Sequence, residues 1–210
     1  MKMDTKYFDE RAKEWDNDPV KLERAQALAT EINAYLHPND SMHAYEFGCG
    51  TGLLGYYLKN SFGSITLADS SEEMIKVLKE KIRNEQIENL HPLITDLQTD
   101  DIEPEAYDVL FTFMTLHHIT DLDTVIFKFY KMIKHSGYLC IADLVTEDGT
   151  FHENMENFDG HNGFERNFIE KLLMQTGFKI KLYKIFFKLT KTLNNGISRE
   201  YPLFLLIAQK

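Results

Sequence analysis

Apolar positions along the chain follow two alternating rhythms. From Lys21 to Leu36, Leu22, Ala25, Leu28, Ala29, Ile32 and Leu36 recur every three or four residues, which predicts an amphipathic helix closed by His37-Pro38. From His43 the pattern tightens into a short apolar strand ending at Glu46-Phe47, followed by a glycine turn and a helical stretch from Leu53 to Lys59. The unit then recurs. Ser64 to Asp69 reads as a strand, Ser71 to Asn84 as a helix with Met74, Ile75, Leu78 and Ile82 on one face, and His91 to Thr95 as a strand. Tyr107 to Phe113 is a fourth strand, Asp121 to Ile133 a helix stopped by Gly137, and Tyr138 to Leu144 a fifth strand.

Val145 to Asn162 lacks a period and holds Gly149, Gly160, five acidic residues and two histidines, so it is expected to be a functional loop or a lid. Arg166 to Thr176 is helical and stops at Gly177. Phe178 to Leu189 and Glu200 to Ala208 are β-rich segments joined by Asn194-Asn195-Gly196, a hairpin signal that makes the last pair antiparallel. The alternation slips near Lys181 to Tyr183, where a bulge is expected. Strands alternating with helices imply an α/β, doubly wound sheet with right-handed crossovers and helices on both faces.

Two hundred and ten residues with 43% apolar content suffice for one globular domain, residues 1–210. Within it, 1–38 form an N-terminal cap segment and helix, and 145–163 a substrate-side loop. The formal charge of −10 argues against a phosphate-backbone partner, which requires clustered Lys and Arg, so nucleic acid is excluded and a small or uncharged substrate fits better. No secretion signal or membrane span is read, so a cytoplasmic monomer or homodimer is expected. Lys179, Lys181, Lys184, Lys188 and Lys191 make the one basic run and read as a solvated strand face. Cys49 and Cys140 lack partners at metal-ligand spacing and are expected to be reduced.

Chemistry concentrates at Glu46-Phe47-Gly48-Cys49-Gly50-Thr51-Gly52, where an open α/β sheet binds its ligands, at the carboxyl end of the first strand. Alternate glycines let backbone approach a ligand that a Cβ would exclude. A dinucleotide fingerprint requires a further glycine at position 53, where Leu53 stands, which disfavours hydride transfer. Asp69 ends the second strand, where a carboxylate accepts from both hydroxyls of a ribose; the other reading is a cap for the next helix, a task Ser70 can take. Asp96 follows the third strand and either reads an adenine amino group, with the Leu97 N–H on a ring nitrogen, or serves a turn.

With Tyr107-Asp108-Val109-Leu110 opening the fourth strand, this set resembles the class I S-adenosylmethionine-dependent methyltransferases. Tyr7-Phe8, Ala12 and Trp15-Asp16, with Leu116-His117-His118-Ile119, are similar to the ubiquinone and menaquinone biosynthesis type. The resemblance implies a seven-stranded, Rossmann-like sheet whose final strand is antiparallel and lies between the fifth and sixth. It implies S-adenosylmethionine as cofactor and methyl transfer to a small organic acceptor at O, N or C. It places Gly48, Cys49 and Gly50 on the methionine part, with Gly52 completing the turn, Asp69 on ribose, Ser70 and Met74 beside adenine, and Asp96 with Leu97 at its edge. Thr112 or Phe113 offers a carbonyl to the ammonium group. Glu46 either orders the loop or reaches that group through water. Tyr7, Phe8 and Trp15 either cover the cofactor or pack on the core.

The catalytic group stays open. His117, His118, His152 and His161 lie on ligand-facing loops and are candidates for a general base, or are structural. His117, His152 and His161 would make a zinc site if they converged; no metal is expected. Phe113-Met114-Thr115-Leu116 departs from the Asn- or Asp-led, proline-containing motif of enzymes that methylate base amines or glutamine amides. The alternatives are a protein that binds S-adenosylmethionine without turnover and, behind it, a nicotinamide-dependent reductase.

Overall fold

The computed structural model describes residues 5–97, 99–155 and 158–210. Three of its helices begin where a side chain satisfies a free N–H group of the first turn. Asp18 accepts from Val20 N at the start of α2 (Pro19–Leu36). Ser71 Oγ accepts from Met74 N before α4 (Glu72–Glu85), and Asp121 from Thr124 N before α5 (Leu122–Met132). Gly177, at φ +112°, ends α6 (Arg166–Thr176), the left-handed geometry that glycine takes without a steric penalty. Two short helices, α1 (Lys6–Asp9) and α3 (Leu53–Leu58), and a 3-10 turn over Ala12–Asn17 complete the first half.

The strands are β1 (His43–Phe47), β2 (Ser64–Asp69), β3 (Leu90–Ile94), β4 (Tyr107–Phe113), β5 (Ile133–Leu144), β6 (Lys179–Thr192) and β7 (Ser198–Gln209). They form one sheet in the order β3-β2-β1-β4-β5-β7-β6, in which β7 runs antiparallel to β5 and β6 and the other pairs are parallel. This is the doubly wound architecture expected from the sequence, with the last strand inserted between the fifth and sixth. Successive side chains of a strand point to opposite faces, and the core divides accordingly. Leu110, Leu139 and Ile141 pack with α5 and α6, whereas Val109, Phe111, Cys140 and Ala142 pack with α2, α3 and α4.

Some expectations need correction. The helix before β5 ends at Met132, and Ile133 already pairs with Tyr107, so Gly137 is not a helix stop. A Cβ there would lie 2.7 Å from Asp108 O, so this glycine allows close passage of β5 along β4. Ser71, not Ser70, caps α4. The register jump between Ile180 and Leu182 is the expected bulge, and a second jump between Ile185 and Phe187 was not foreseen. Among the described residues no helix is long and apolar enough to cross a membrane.

Candidate active site

Strand order reverses between β1 and β4, and the crevice at their carboxyl ends is where open α/β sheets bind ligands. A cavity of about 510 Å³ lies there, within the size range of small-molecule sites. Its first wall is the glycine turn. Gly48 and Cys49 both donate backbone N–H groups to Ala68 O, at 2.8 and 3.0 Å, which folds the turn over the end of β2. Gly48 has φ +69°, and a Cβ on it would stand 2.1 Å from Thr115 Cγ2. Thr115 Oγ1 in turn donates to Gly48 O at 3.1 Å. Gly52 caps α3 at φ +76° and does not line the cavity.

Asp69 faces the cavity and pins its floor. One carboxylate oxygen accepts from Gly50 N at 2.7 Å and the other from Ser71 N at 2.9 Å; burial raises its pKa while these bonds lower it. Ser70, Met74 and Asp96 line the same cavity. The Leu97 side chain is buried in the core beneath it, and Thr112 is buried in β4 away from it, leaving Phe113 as the lining residue of that pair. Glu46 Oε2 accepts from Gly55 N at 2.9 Å, tying β1 to α3, and burial pushes its carboxyl up to about 8, with Asp69 adding to the rise. That bond favours the loop-ordering reading of Glu46. The Cys49 thiol is buried and its pKa is raised well above the ordinary value, so it is no nucleophile at neutral pH.

The N-terminal segment forms the second wall. Tyr7, Phe8 and Trp15 line the cavity, and Lys21 Nζ sits 3.6 Å over the Trp15 ring. Asp16 ties the segment down, accepting from Thr51 Oγ1 at 2.5 Å and from Lys81 Nζ at 2.6 Å.

Histidines close the far end. His117, in a 3-10 turn after β4, holds Asp143 of β5 through Nδ1 at 2.5 Å. His118 and His152 join it, with ring centroids 4.1 and 5.0 Å from that of His117. Burial, then the neighbouring rings, lowers His118 well below the ordinary range, and burial pushes His152 down to about 3. His161 is not part of this group. Its Nε2 lies 3.0 Å from Ile119 O and its backbone N donates to His117 O at 2.7 Å, so it steadies the turn from behind and does not line the cavity.

Three further residues of the site were not singled out from the sequence. Asp143 is an acid inside the otherwise apolar run Tyr138–Leu144, a signal that was there to be seen. Arg24 lines the cavity at 9% exposure, on the core face of α2 four residues before Leu28. Lys191, assigned to a solvated face, instead lines the cavity and donates to Phe151 O at 2.7 Å.

A Rossmann-like sheet with a glycine turn, a carboxylate at the end of β2 and one cavity at the switch point defines a protein built for a nucleoside-containing cofactor. Residues 38–189 match the family described as a methyltransferase domain, and the chain belongs to that family. It is 31% identical over 148 residues to an uncharacterized methyltransferase of Schizosaccharomyces pombe, covering 67% of this chain and 51% of that protein. It is 30% identical over 151 residues to the malonyl-[acyl-carrier protein] O-methyltransferase of Priestia megaterium, covering 70% and 53%. The chain thus spans about half the length of these curated relatives. The fold is that of a methyltransferase structure from Bacillus halodurans, with TM-score 0.75 and 13% identity over 88% of this chain and 98% of that one.

Proposed function

We propose that this protein transfers the methyl group of S-adenosylmethionine to a small organic acceptor held at the histidine end of the cavity. The observation that carries this is the continuity of one cavity from Gly48, Gly50 and Asp69 to His117, His118 and His152. The residues fit the cofactor of the family. A Cβ on Gly50 would have only Met74 Sδ and Trp15 Nε1 near it, both at 3.9 Å, so the missing side chain leaves room beside a backbone that a ligand can approach.

When bound, the cofactor supplies a methyl group already activated on a sulfonium. The chain's task is then to hold a nucleophile in line at about 3 to 3.5 Å and to exclude water. Gly48 and Gly50 present backbone to the methionine part, Asp69 faces the ribose, and Ser70, Met74 and Asp96 surround the base. Tyr7, Phe8 and Trp15 shut that half from solvent. The buried histidines supply nitrogen atoms for orienting and activating an oxygen or nitrogen nucleophile. The O-methyltransferase relative supports oxygen as the attacking atom.

Calorimetric titration with S-adenosylhomocysteine tests the reading. Micromolar binding is expected, weakened tenfold or more in Asp69→Ala, since a hydrogen bond to a charged partner contributes about 1.5 to 3 kcal/mol. A nicotinamide dinucleotide should give no heat. Absence of S-adenosylhomocysteine binding in a folded sample would overturn the assignment. Binding without turnover on any acceptor of a broad panel would favour a non-catalytic binding protein.

A further inference from the structure

We propose that His117, His118 and His152 form a site for a divalent transition-metal ion of the zinc class, with one coordination position open to the cavity. The three side chains come from two turns, His117 and His118 from residues 116–118 after β4 and His152 from residues 150–152 after β5. One ring nitrogen of each lies within 4.8 Å of the others. Tetrahedral zinc with Zn–N near 2.0 Å sets its ligand nitrogens roughly 3.3 Å apart, so closure on an ion requires movements of about 1.5 Å at most.

His152 points to a ligand independently of this spacing. It is 6% exposed, and both of its ring nitrogens are buried without a hydrogen-bond partner among the described residues. A neutral imidazole carries one donor and one acceptor, and buried polar atoms in native proteins are nearly always satisfied. The ring stacks on Phe158 at 3.8 Å and 7°, which fixes its plane without satisfying either nitrogen. A metal ion takes up the acceptor lone pair that no group among the described residues engages.

Asp143 provides the support that metal-binding histidines commonly have. Its carboxylate can only accept, so His117 Nδ1 carries the proton and Nε2 keeps a lone pair. A carboxylate behind an imidazole in this way fixes the tautomer and raises ligand basicity. The donor set is imidazole alone, which suits zinc, cobalt, nickel or copper and not magnesium or calcium. Three protein ligands leave a fourth position for water or for an acceptor atom. The set differs from the one considered from sequence, because His161 is held against Ile119 O and His118 takes its place. Metal binding stands on these side chains alone; a part in activating the acceptor rests on the transferase reading.

Cobalt provides the test. The full chain, stripped with a chelator and freed of any histidine tag, is titrated with Co²⁺, followed by Zn²⁺, while its visible spectrum is recorded. One equivalent of Co²⁺ should produce d–d bands that one equivalent of Zn²⁺ abolishes. His152→Asn and His118→Asn should each weaken binding more than tenfold, and Asp143→Asn by 10- to 100-fold, with circular dichroism confirming that each variant is folded. Absence of the bands, or bands of unchanged affinity in both folded histidine variants, would overturn the site. S-adenosylhomocysteine titration of the metal-free protein separates this from the transferase reading: retained cofactor binding with no cobalt site rejects the metal alone, and cobalt binding without cofactor binding upholds it alone.

Discussion

The His117 ring and the Asp143 carboxylate meet at 2.5 Å, both almost wholly buried, across the carboxyl ends of β4 and β5. Asp143 also accepts from the backbone N of His117 at 3.3 Å and of Leu144 at 2.7 Å. One carboxylate thus fixes the turn that carries two of the three clustered histidines. Removing it leaves buried donors without an acceptor, which costs about 1 to 3 kcal/mol per group. Asp143→Ala should destabilise the protein by several kcal/mol in urea titration, and Asp143→Asn, which keeps an acceptor oxygen, by clearly less. Equal losses in the two variants would show that the carboxylate charge carries the whole effect and that neither packing nor a neutral acceptor oxygen contributes.

Gly48 and Gly50 have similar backbone angles, φ +69° and +54°, and different surroundings. Alanine at either position carries the strain of a left-handed residue, about 1 to 2 kcal/mol. At Gly48 the new methyl also collides with Thr115, whereas at Gly50 it enters the cavity. Gly48→Ala should therefore lower the melting temperature strongly. Gly50→Ala should melt closer to the parent while binding S-adenosylhomocysteine at least tenfold more weakly. The reverse order in thermal shift and calorimetry would place the cofactor elsewhere.

The layout of β1 to β5 and of the glycine turn was legible because it depends on local chemistry: period, caps and glycines at fixed offsets. Asp69 could be named from its place at the end of the second strand, whereas Ser70, Met74 and Trp15 were placed by the family resemblance. The histidine grouping was only half legible. His118 and His161 read alike in sequence, and which of them faces the cavity depends on a backbone bond from His161 N to His117 O, 44 residues earlier in the chain. Arg24 and Lys191 were missed because a long cationic side chain on an element that also faces solvent reads as exposed. Ile133 was assigned to a helix because it continues the apolar period of α5; its pairing with Tyr107 is a tertiary contact that periodicity does not report.

Glu46 makes the stability depend on pH. Its carboxyl is pushed from 4.5 up to about 8 by burial, so between those values the folded state holds a proton that the unfolded state has released. Stability then falls as pH rises through this window, with a slope approaching about 1.4 kcal/mol per pH unit. Glu46→Gln imitates the protonated form and keeps an acceptor for Gly55 N. Relative to the parent it should be neutral near pH 4.5 and increasingly stabilising toward pH 8. The difference between the two proteins isolates this group, because the depressed histidines act in both and destabilise with the opposite sign, on acidification. A flat difference across the window would mean that Glu46 is ionised in the folded protein.

The N-terminal wall is held by few bonds. No described residue of α1 is buried, and Ala12 is the one buried residue of the following turn. Segments of this kind open locally at low free-energy cost. A ligand that touches Tyr7, Phe8 and Trp15 should stabilise the closed form, so trypsin cleavage after Lys6, Arg11 and Lys13 should slow in saturating S-adenosylhomocysteine. Asp16→Ala, which releases Thr51 and Lys81, should speed cleavage and raise the ligand concentration needed for protection. Equal digestion rates with and without ligand would show that the segment packs on the core and does not cover the cofactor.

Arg24 sets stability against binding. Burial pushes its guanidinium down to about 10, its Nε has no hydrogen-bond partner among the described residues, and Asp18 and Asp143 act on it only through space. The Phe113 ring, 5.4 Å from Cζ, offers modest compensation. A cation buried this way costs stability, and sites that bind charged ligands commonly carry such a cost. Arg24→Met keeps the aliphatic stem and removes the charge, so the urea midpoint should rise, with a gain in unfolding free energy of about 1 kcal/mol or more if the desolvation of the guanidinium dominates. The same variant should leave S-adenosylhomocysteine affinity within a few-fold of the parent. It should lose methyl transfer selectively toward acceptors that carry a carboxylate or phosphate, because the cation lines the cavity and forms no ion pair among the described residues. A lower midpoint would show that the charge is satisfied in the folded state, and an unchanged acceptor preference would remove Arg24 from the determinants of specificity.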